Sequence, residues 1–203
     1  LVSEFEDVLN GLLHINNVDT YVTGSNAKFL SKDIITEFRG RGDQIHVLPL
    51  SFSEYLSVYN GDKYSAFNEY LTYGGLPFVT SLSKKKKKTN YLTNLFEEIY
   101  IKDIINRYNI HSTDEFKELI NILASSIGSL TNPTKLEKVF KSVKHLSISA
   151  NTISTFIEYL EDAFIVCKTQ RYDIKGKSHI DSPFKYYFSD LGLRNARLNF
   201  RQL

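Results

Sequence analysis

Residues 21–42, YVTGSNAKFLSKDIITEFRGRG, decide how the N-terminal part of the chain is read. The short β-branched and aromatic run 20–23 has the character of a buried strand. It turns at Gly24, Ser25 and Asn26 and continues as a helix over 27–38, where Leu30, Ile34, Ile35 and Phe38 recur at helical spacing. The sequence RGRG then breaks the helix, and a second strand is expected at 45–48, IHVL. Upstream, Ser3 and Glu6 stand in a capping-box relation ahead of Phe5, Val8, Leu9, Leu12 and Leu13, which share one helical face. Helix, strand, helix, strand with short links is the grammar of a parallel sheet with crossover helices, of which two strands are only a part.

From Pro49 the pattern changes to helices. Ser51 and Glu54 form a second capping box, and further helices are expected over 63–72 and 89–107. YGGLP lies between them, its two glycines permitting a tight turn. The lysine run 84–88 reads as a solvated loop, because five like charges repel one another. The last third carries three amphipathic helices. The first is marked by Phe116, Leu119, Ile120, Leu123 and Ile127, the second by Asn132 and Pro133 ahead of Leu136, Val139, Phe140 and Val143, and the third by Ile153, Phe156, Ile157 and Leu160. Two strand candidates, FIVCKTQRY and FKYYFSD, follow them. Three helices and a hairpin is the order of a winged helix. The expected architecture is therefore an α/β remnant of two parallel strands with helices over 1–50, a helical lid over 51–111 and a winged-helix domain over 112–203, mostly α overall.

With 203 residues, 42% of them hydrophobic, the chain has apolar material for real cores. A formal net charge of +2 does not announce a nucleic-acid binder, but the charge is unevenly placed. Residues 164–203 hold eight Lys and Arg against three acids, whereas residues 1–60 hold four against eight. The single cysteine, Cys167, excludes an internal disulfide framework and suits a reducing compartment. No apolar run is long enough to span a bilayer, so a cytoplasmic protein with no membrane partner is expected. The five histidines lack metal-ligand spacing. The absence of any methionine, even at position 1, suggests a piece excised from a longer chain.

In open parallel sheets ligands bind beyond the carboxyl ends of the strands, where Gly24, Ser25 and Asn26 fall. Ser25 or Asn26 either caps the following helix or reaches toward a phosphate or an attacking water. Arg39 and Arg41 either serve the helix dipole or, flanked by Gly40 and Gly42, present a guanidinium to a phosphoryl group. The ordered set YVTGSNAKFLSKDIITEFRGRG, PLSFSEYL, YGGLP, LFEEIYIKDIINRYNI, TISTFIEYLEDAFIV and KYYFSDLGLRNA resembles a prokaryotic family of AAA+-type predicted ATPases whose C-terminal domain of unknown function has a winged-helix-like portion. The resemblance implies that Ser25 and Asn26 occupy the sensor position beside the γ-phosphate. It also implies that Arg41, and with it Arg39, stabilises transition-state charge, in cis or from a neighbouring subunit of a homo-oligomer.

The chain departs from that pattern in having no G-x-x-x-x-G-K-[ST] loop and no upstream strand ending in paired acids. Gly176-Lys177-Ser178 does not replace the loop, since Arg171 stands where the first glycine belongs. ATP and Mg are accordingly expected as cofactors of a full-length protein, with none expected for this piece alone, which is expected to be catalytically silent. The alternative is a winged-helix module that binds nucleic acid or protein. Its wing would offer Lys168, Arg171, Lys175 and Lys177 to phosphates, while its third helix carries no Lys or Arg between Ser149 and Ala163. For Asp190, Arg194 and Asn195 the default expectation is a surface ion pair.

Overall fold

Side chains that take up the first free amides set the helix starts. The computed structural model describes residues 5–24, 43, 45–144, 146–170 and 183–200. After α1 (Phe5–Leu12), the Ser51 and Glu54 capping box forms as its residues dictate. Glu54 N–H donates to Ser51 Oγ at 3.4 Å and Ser51 N–H donates to Glu54 Oε2 at 2.8 Å, opening α2 (Phe52–Ser57). Asp62 opens α3 (Lys63–Tyr73) by accepting from the amides of Tyr64 and Ser65. α3 ends at Gly74, whose φ of +74° is the left-handed conformation that glycine adopts without strain, and the short α4 (Pro77–Thr80) follows.

A long helix comes next, in three stretches. α5 (Lys85–Asn94) runs into a π-helical stretch (Leu95–Ile101) and on into α6 (Lys102–Arg107). The buried positions Leu92, Phe96, Ile101 and Ile104 lie on it, and the five-residue step from Phe96 to Ile101 is a π-helical spacing. The lysine run is not the solvated loop its composition predicts. Lys85 to Lys88 form the first turn of α5, with Lys84 to Lys87 exposed and only Lys88 turned inward, to 5% exposure. Fanning around a helix separates the like charges, and the fifth finds a carboxylate.

The remaining elements are α7 (Thr113–Ser125), α8 (Pro133–Val139) with a π-helical turn at Phe140–Lys144, α9 (Ala150–Asp162), β1 (Val166–Thr169), β2 (Lys185–Phe188) and α10 (Leu191–Arg197). β1 and β2 are antiparallel, in a register that pairs Val166 with Phe188 and Thr169 with Lys185. Thr131 extends this pairing by exchanging backbone hydrogen bonds of 2.9 and 2.8 Å with Phe184. One apolar core joins these parts: Leu92 of α5, Phe96 of the π-helical stretch, Phe116, Leu119 and Ile120 of α7, Phe140, Ile153, Leu160 and Phe188 all belong to it. Tyr108 and Tyr159 stack with ring centroids 3.7 Å apart on its edge, where Tyr108 Oη donates to Asp162 at 3.0 Å.

The chain is mostly helical, as expected, but the two predicted parallel strands do not form. Residues 20–24 and 45–50 have no regular structure, and the described residues contain only the antiparallel pair. A parallel strand needs a hydrogen-bonded neighbour and helices over its faces. Among the described residues neither run has that neighbour, and Tyr21 and Val47 stand 87% and 85% exposed. The predicted helix over 27–38 lies outside the described residues, as does the connection between β1 and β2 from 171 to 182.

Candidate functional site

The predicted site residues Ser25, Asn26, Arg39 and Arg41 lie outside the described residues, and so do Arg171, Lys175 and Lys177. Gly24, at the start of the predicted sensor turn, is described. It lines a cavity of about 360 Å³ together with His46 and Pro49, facing Tyr100, Phe164, Ser189 and Asp190 on the helical side. Around that cavity the N-terminal segment meets the rest of the molecule.

Asp190 is the organising residue. It is 4% exposed and sits at the N-cap of α10, where its Oδ1 accepts from Leu193 N–H at 3.0 Å. Its Oδ2 accepts from Gly75 N–H at 2.7 Å, 115 positions away in sequence. Burial pushes its carboxyl above the ordinary aspartate range, while the amides of Gly75, Leu193 and Gly192 pull in the opposite direction. Three glycines make the junction sterically feasible. A Cβ on Gly74 would fall 2.2 Å from Asp190 Oδ1, one on Gly75 2.2 Å from the Leu50 carbonyl oxygen, and one on Gly192 2.1 Å from that of Tyr73. The contacts are backbone against backbone and carboxylate against amide.

The rest of α10 closes off neighbouring helix ends. Asn195 Nδ2 donates to the Leu71 and Thr72 carbonyls, both at 2.9 Å, at the C-terminal end of α3. Arg194 Nε donates to the Ala124 carbonyl at 2.9 Å, near the end of α7. Arg197 donates to Asn121 Oδ1 at 2.7 Å, to the Lys117 carbonyl at 3.1 Å and to Glu97. The surface ion pair expected for Asp190, Arg194 and Asn195 is therefore replaced by a buried network aimed at backbone groups. The sequence carries one local signal of it, an aspartate three positions before Leu193 at a helix start. Partners more than a hundred residues distant leave no local trace.

A second polar cluster surrounds Lys88. Its Nζ is 2.6 Å from Glu69 Oε2 and 5.5 Å from the Tyr73 ring centroid, and Tyr55 Oη donates to the same carboxylate at 3.4 Å. Burial and the neighbouring Glu69 charge push the Tyr55 hydroxyl far up, so it remains a neutral donor. Lys168, the described member of the predicted basic wing, lies 3.9 Å from the Phe184 ring centroid and beside Glu161, whose carboxyl burial pushes up. On α9 the early Asn151 and the later Glu158 are exposed.

Among the described residues no group of three His, Cys, Asp or Glu side chains lies together as a metal site would require. The Asp190 carboxylate, which lines the cavity with Gly24, is committed to backbone amides, and the guanidinium of Arg197 to protein acceptors. These residues do not fit a Mg-bound triphosphate. No described helix is long and apolar enough to cross a membrane.

The fold and this junction define a helical domain whose last helix is anchored back onto a short N-terminal segment. Residues 64–203 match the model of a domain of unknown function, DUF8612, and the chain belongs to that family. Residues 1–56 match the model of an AAA domain, which relates this stretch to AAA-type ATPases. The chain is similar to an uncharacterized protein of Haemophilus influenzae, 36% identical over 198 residues, covering 95% of this chain and 49% of that protein. It is also similar to an uncharacterized protein of Methanocaldococcus jannaschii, 30% identical over 202 residues, covering 93% of this chain and 44% of that protein. The chain thus spans about half the length of these curated relatives. No solved structure matches it.

Proposed function

We propose that the chain is part of an AAA+-type P-loop ATPase whose helical C-terminal portion receives the movement of the nucleotide-binding portion. The observation that carries this reading is the AAA match over residues 1–56, which spans the sequence from Thr20 to Gly42 and with it Ser25, Asn26 and both arginines. In this reading Ser25 and Asn26 orient water or register the γ-phosphate, and Arg41, with Arg39, faces the developing charge, from its own or a neighbouring subunit. ATP and Mg are held by a phosphate loop and paired acids that these 203 residues lack and the longer protein supplies. In the longer protein, residues 20–23 and 45–48 gain the neighbouring strands they lack among the described residues and complete the parallel sheet of its nucleotide-binding portion, and the piece alone is inactive in a cytoplasmic setting.

The C-terminal part is of the winged-helix kind in this reading. Its support is the order α7, α8, α9, β1, β2, with Thr131 paired to Phe184 as the short third strand. Contact with protein is favoured over reading of bases, because α9 has no Lys or Arg to offer a polyanion. In the alternative reading, nucleic acid is met through phosphate contacts of Lys168, Arg171, Lys175 and Lys177. The test is Mg-dependent ATP hydrolysis by the full-length protein. Arg41→Ala is expected to lower kcat about 100-fold or more. Absence of ATP binding and turnover in the full-length protein overturns the reading. A salt-dependent DNA shift lost on replacing Lys175 and Lys177, without ATP turnover, favours the binding module instead.

A further inference from the structure

Leu50 stands at the end of the N-terminal segment, and both of its backbone groups are used. Its N–H donates to the Gly75 carbonyl at 2.8 Å, and its own carbonyl accepts from Tyr70 Oη at 2.9 Å. Gly75 in turn donates its N–H to Asp190 Oδ2 at 2.7 Å. Asp190 Oδ1 holds the first turn of α10 through Leu193 N–H. A continuous relay, Leu50 to Gly75 to Asp190 to Leu193, therefore links the segment that follows Arg41 to the C-terminal helix. A second contact runs alongside: the His46 ring lies against Phe164, with centroids 4.3 Å apart. Phe164 has φ +54°, a strained conformation for a non-glycine residue that turns its backbone at the end of α9.

We propose that Asp190 is a positioning residue, and that the Leu50–Gly75–Asp190 relay holds Leu50, at the end of the N-terminal segment, in a fixed relation to α10. Movement of either is transmitted to the other. A carboxylate suits this role because one residue can accept from two partners at once, and a charged acceptor makes the stronger hydrogen bond. The glycines suit it because a Cβ at Gly75 or Gly192 would force the two backbones apart. The functional sense of the relay, transmission of nucleotide state, rests on the ATPase reading above, whereas its physical existence does not.

The test is amide hydrogen exchange, read at Leu50, Gly75 and Leu193 relative to Ile153 in the core, so that global opening is subtracted. Asp190→Asn keeps a side-chain oxygen to cap α10, since asparagine is as good an N-cap as aspartate, and places an amide group against Gly75 N–H. Exchange at Gly75 and Leu50 is expected to quicken together, about tenfold or more, while Leu193 stays within about threefold. Faster exchange at Gly75 with Leu50 unchanged overturns the proposal, and so does no change at either. Tyr70→Phe, which removes only the hydroxyl on the Leu50 carbonyl, serves if Asp190→Asn does not fold. The relay requires Gly75 to respond to it as well, and a response confined to Leu50, or none, overturns it. In the full-length protein, absence of ATP turnover would sink the ATPase reading and leave these exchange results standing.

Discussion

The Lys88–Glu69 pair makes an asymmetric prediction. The Lys88 side chain is 7% exposed and that of Glu69 28% exposed, so the two charges do not have the same recourse to water once separated. Lys88→Met leaves a carboxylate that rehydrates on its open side and keeps the Tyr55 hydroxyl at 3.4 Å. Glu69→Leu leaves an ammonium enclosed against the Tyr73 ring with no other carboxylate bound to it among the described contacts. Removing one partner of a buried pair costs about 3–5 kcal/mol when the survivor cannot reach solvent, and less when it can. The expected losses are about 3 kcal/mol for Glu69→Leu and about 2 kcal/mol for Lys88→Met. The double variant should lose only about 2 kcal/mol, because an apolar pair of similar volume substitutes well for a buried ion pair, giving a coupling energy of about 3 kcal/mol. Urea unfolding followed by far-ultraviolet circular dichroism measures all four species. A larger loss for Lys88→Met than for Glu69→Leu, or a coupling below about 0.5 kcal/mol, would refute the reasoning that burial of the ammonium decides the energetics.

Asn195→Ala removes the donors to the Leu71 and Thr72 carbonyls and should cost about 2 kcal/mol, read as a lowered thermal midpoint; a change under about 0.5 kcal/mol would mean that those carbonyls find water. The buried Asp190 carboxyl has its folded pKa raised above the unfolded value, so the folded state holds the proton more tightly. Its contribution to stability is present below about pH 4, the ordinary aspartate value, and is lost as pH rises through the folded pKa. Asp190→Asn should flatten that part of the stability profile, and identical slopes in the two proteins would contradict it. Glu161 shifts in the same direction, so the comparison between variant and parent isolates Asp190.

Local chemistry was legible where it is self-contained. Ser51 with Glu54, Asn132 before Pro133, and the apolar spacings of Phe116 to Leu123 and Ile153 to Leu160 form the helices their residues predict. No strand forms at 20–23 or 45–48 among the described residues, because strand formation depends on a neighbour that a linear pattern does not supply. The inward position of Lys88 is hidden in a run of like charges, because a helix turns successive residues by about 100° and only one of the five points inward. Asp190 and Asn195 read as surface polar residues because their acceptors and donors, Gly75, Leu71 and Thr72, are more than a hundred positions away. The junction could be inferred from glycine placement only after the backbone of Leu50 was seen against Gly75.

The π-helical stretch between α5 and α6 has a consequence for how relatives of this chain can vary in length. Widening the turn absorbs one added residue without swinging the downstream part of the helix away from Phe116 and its neighbours. Taking a residue out of positions 97–100 would bring Phe96 and Ile101 to an ordinary four-residue step and leave both buried, whereas the same deletion within α7 would rotate half of its apolar face by about 100° into water. Loss of a single residue should therefore be tolerated here and purged one helix later.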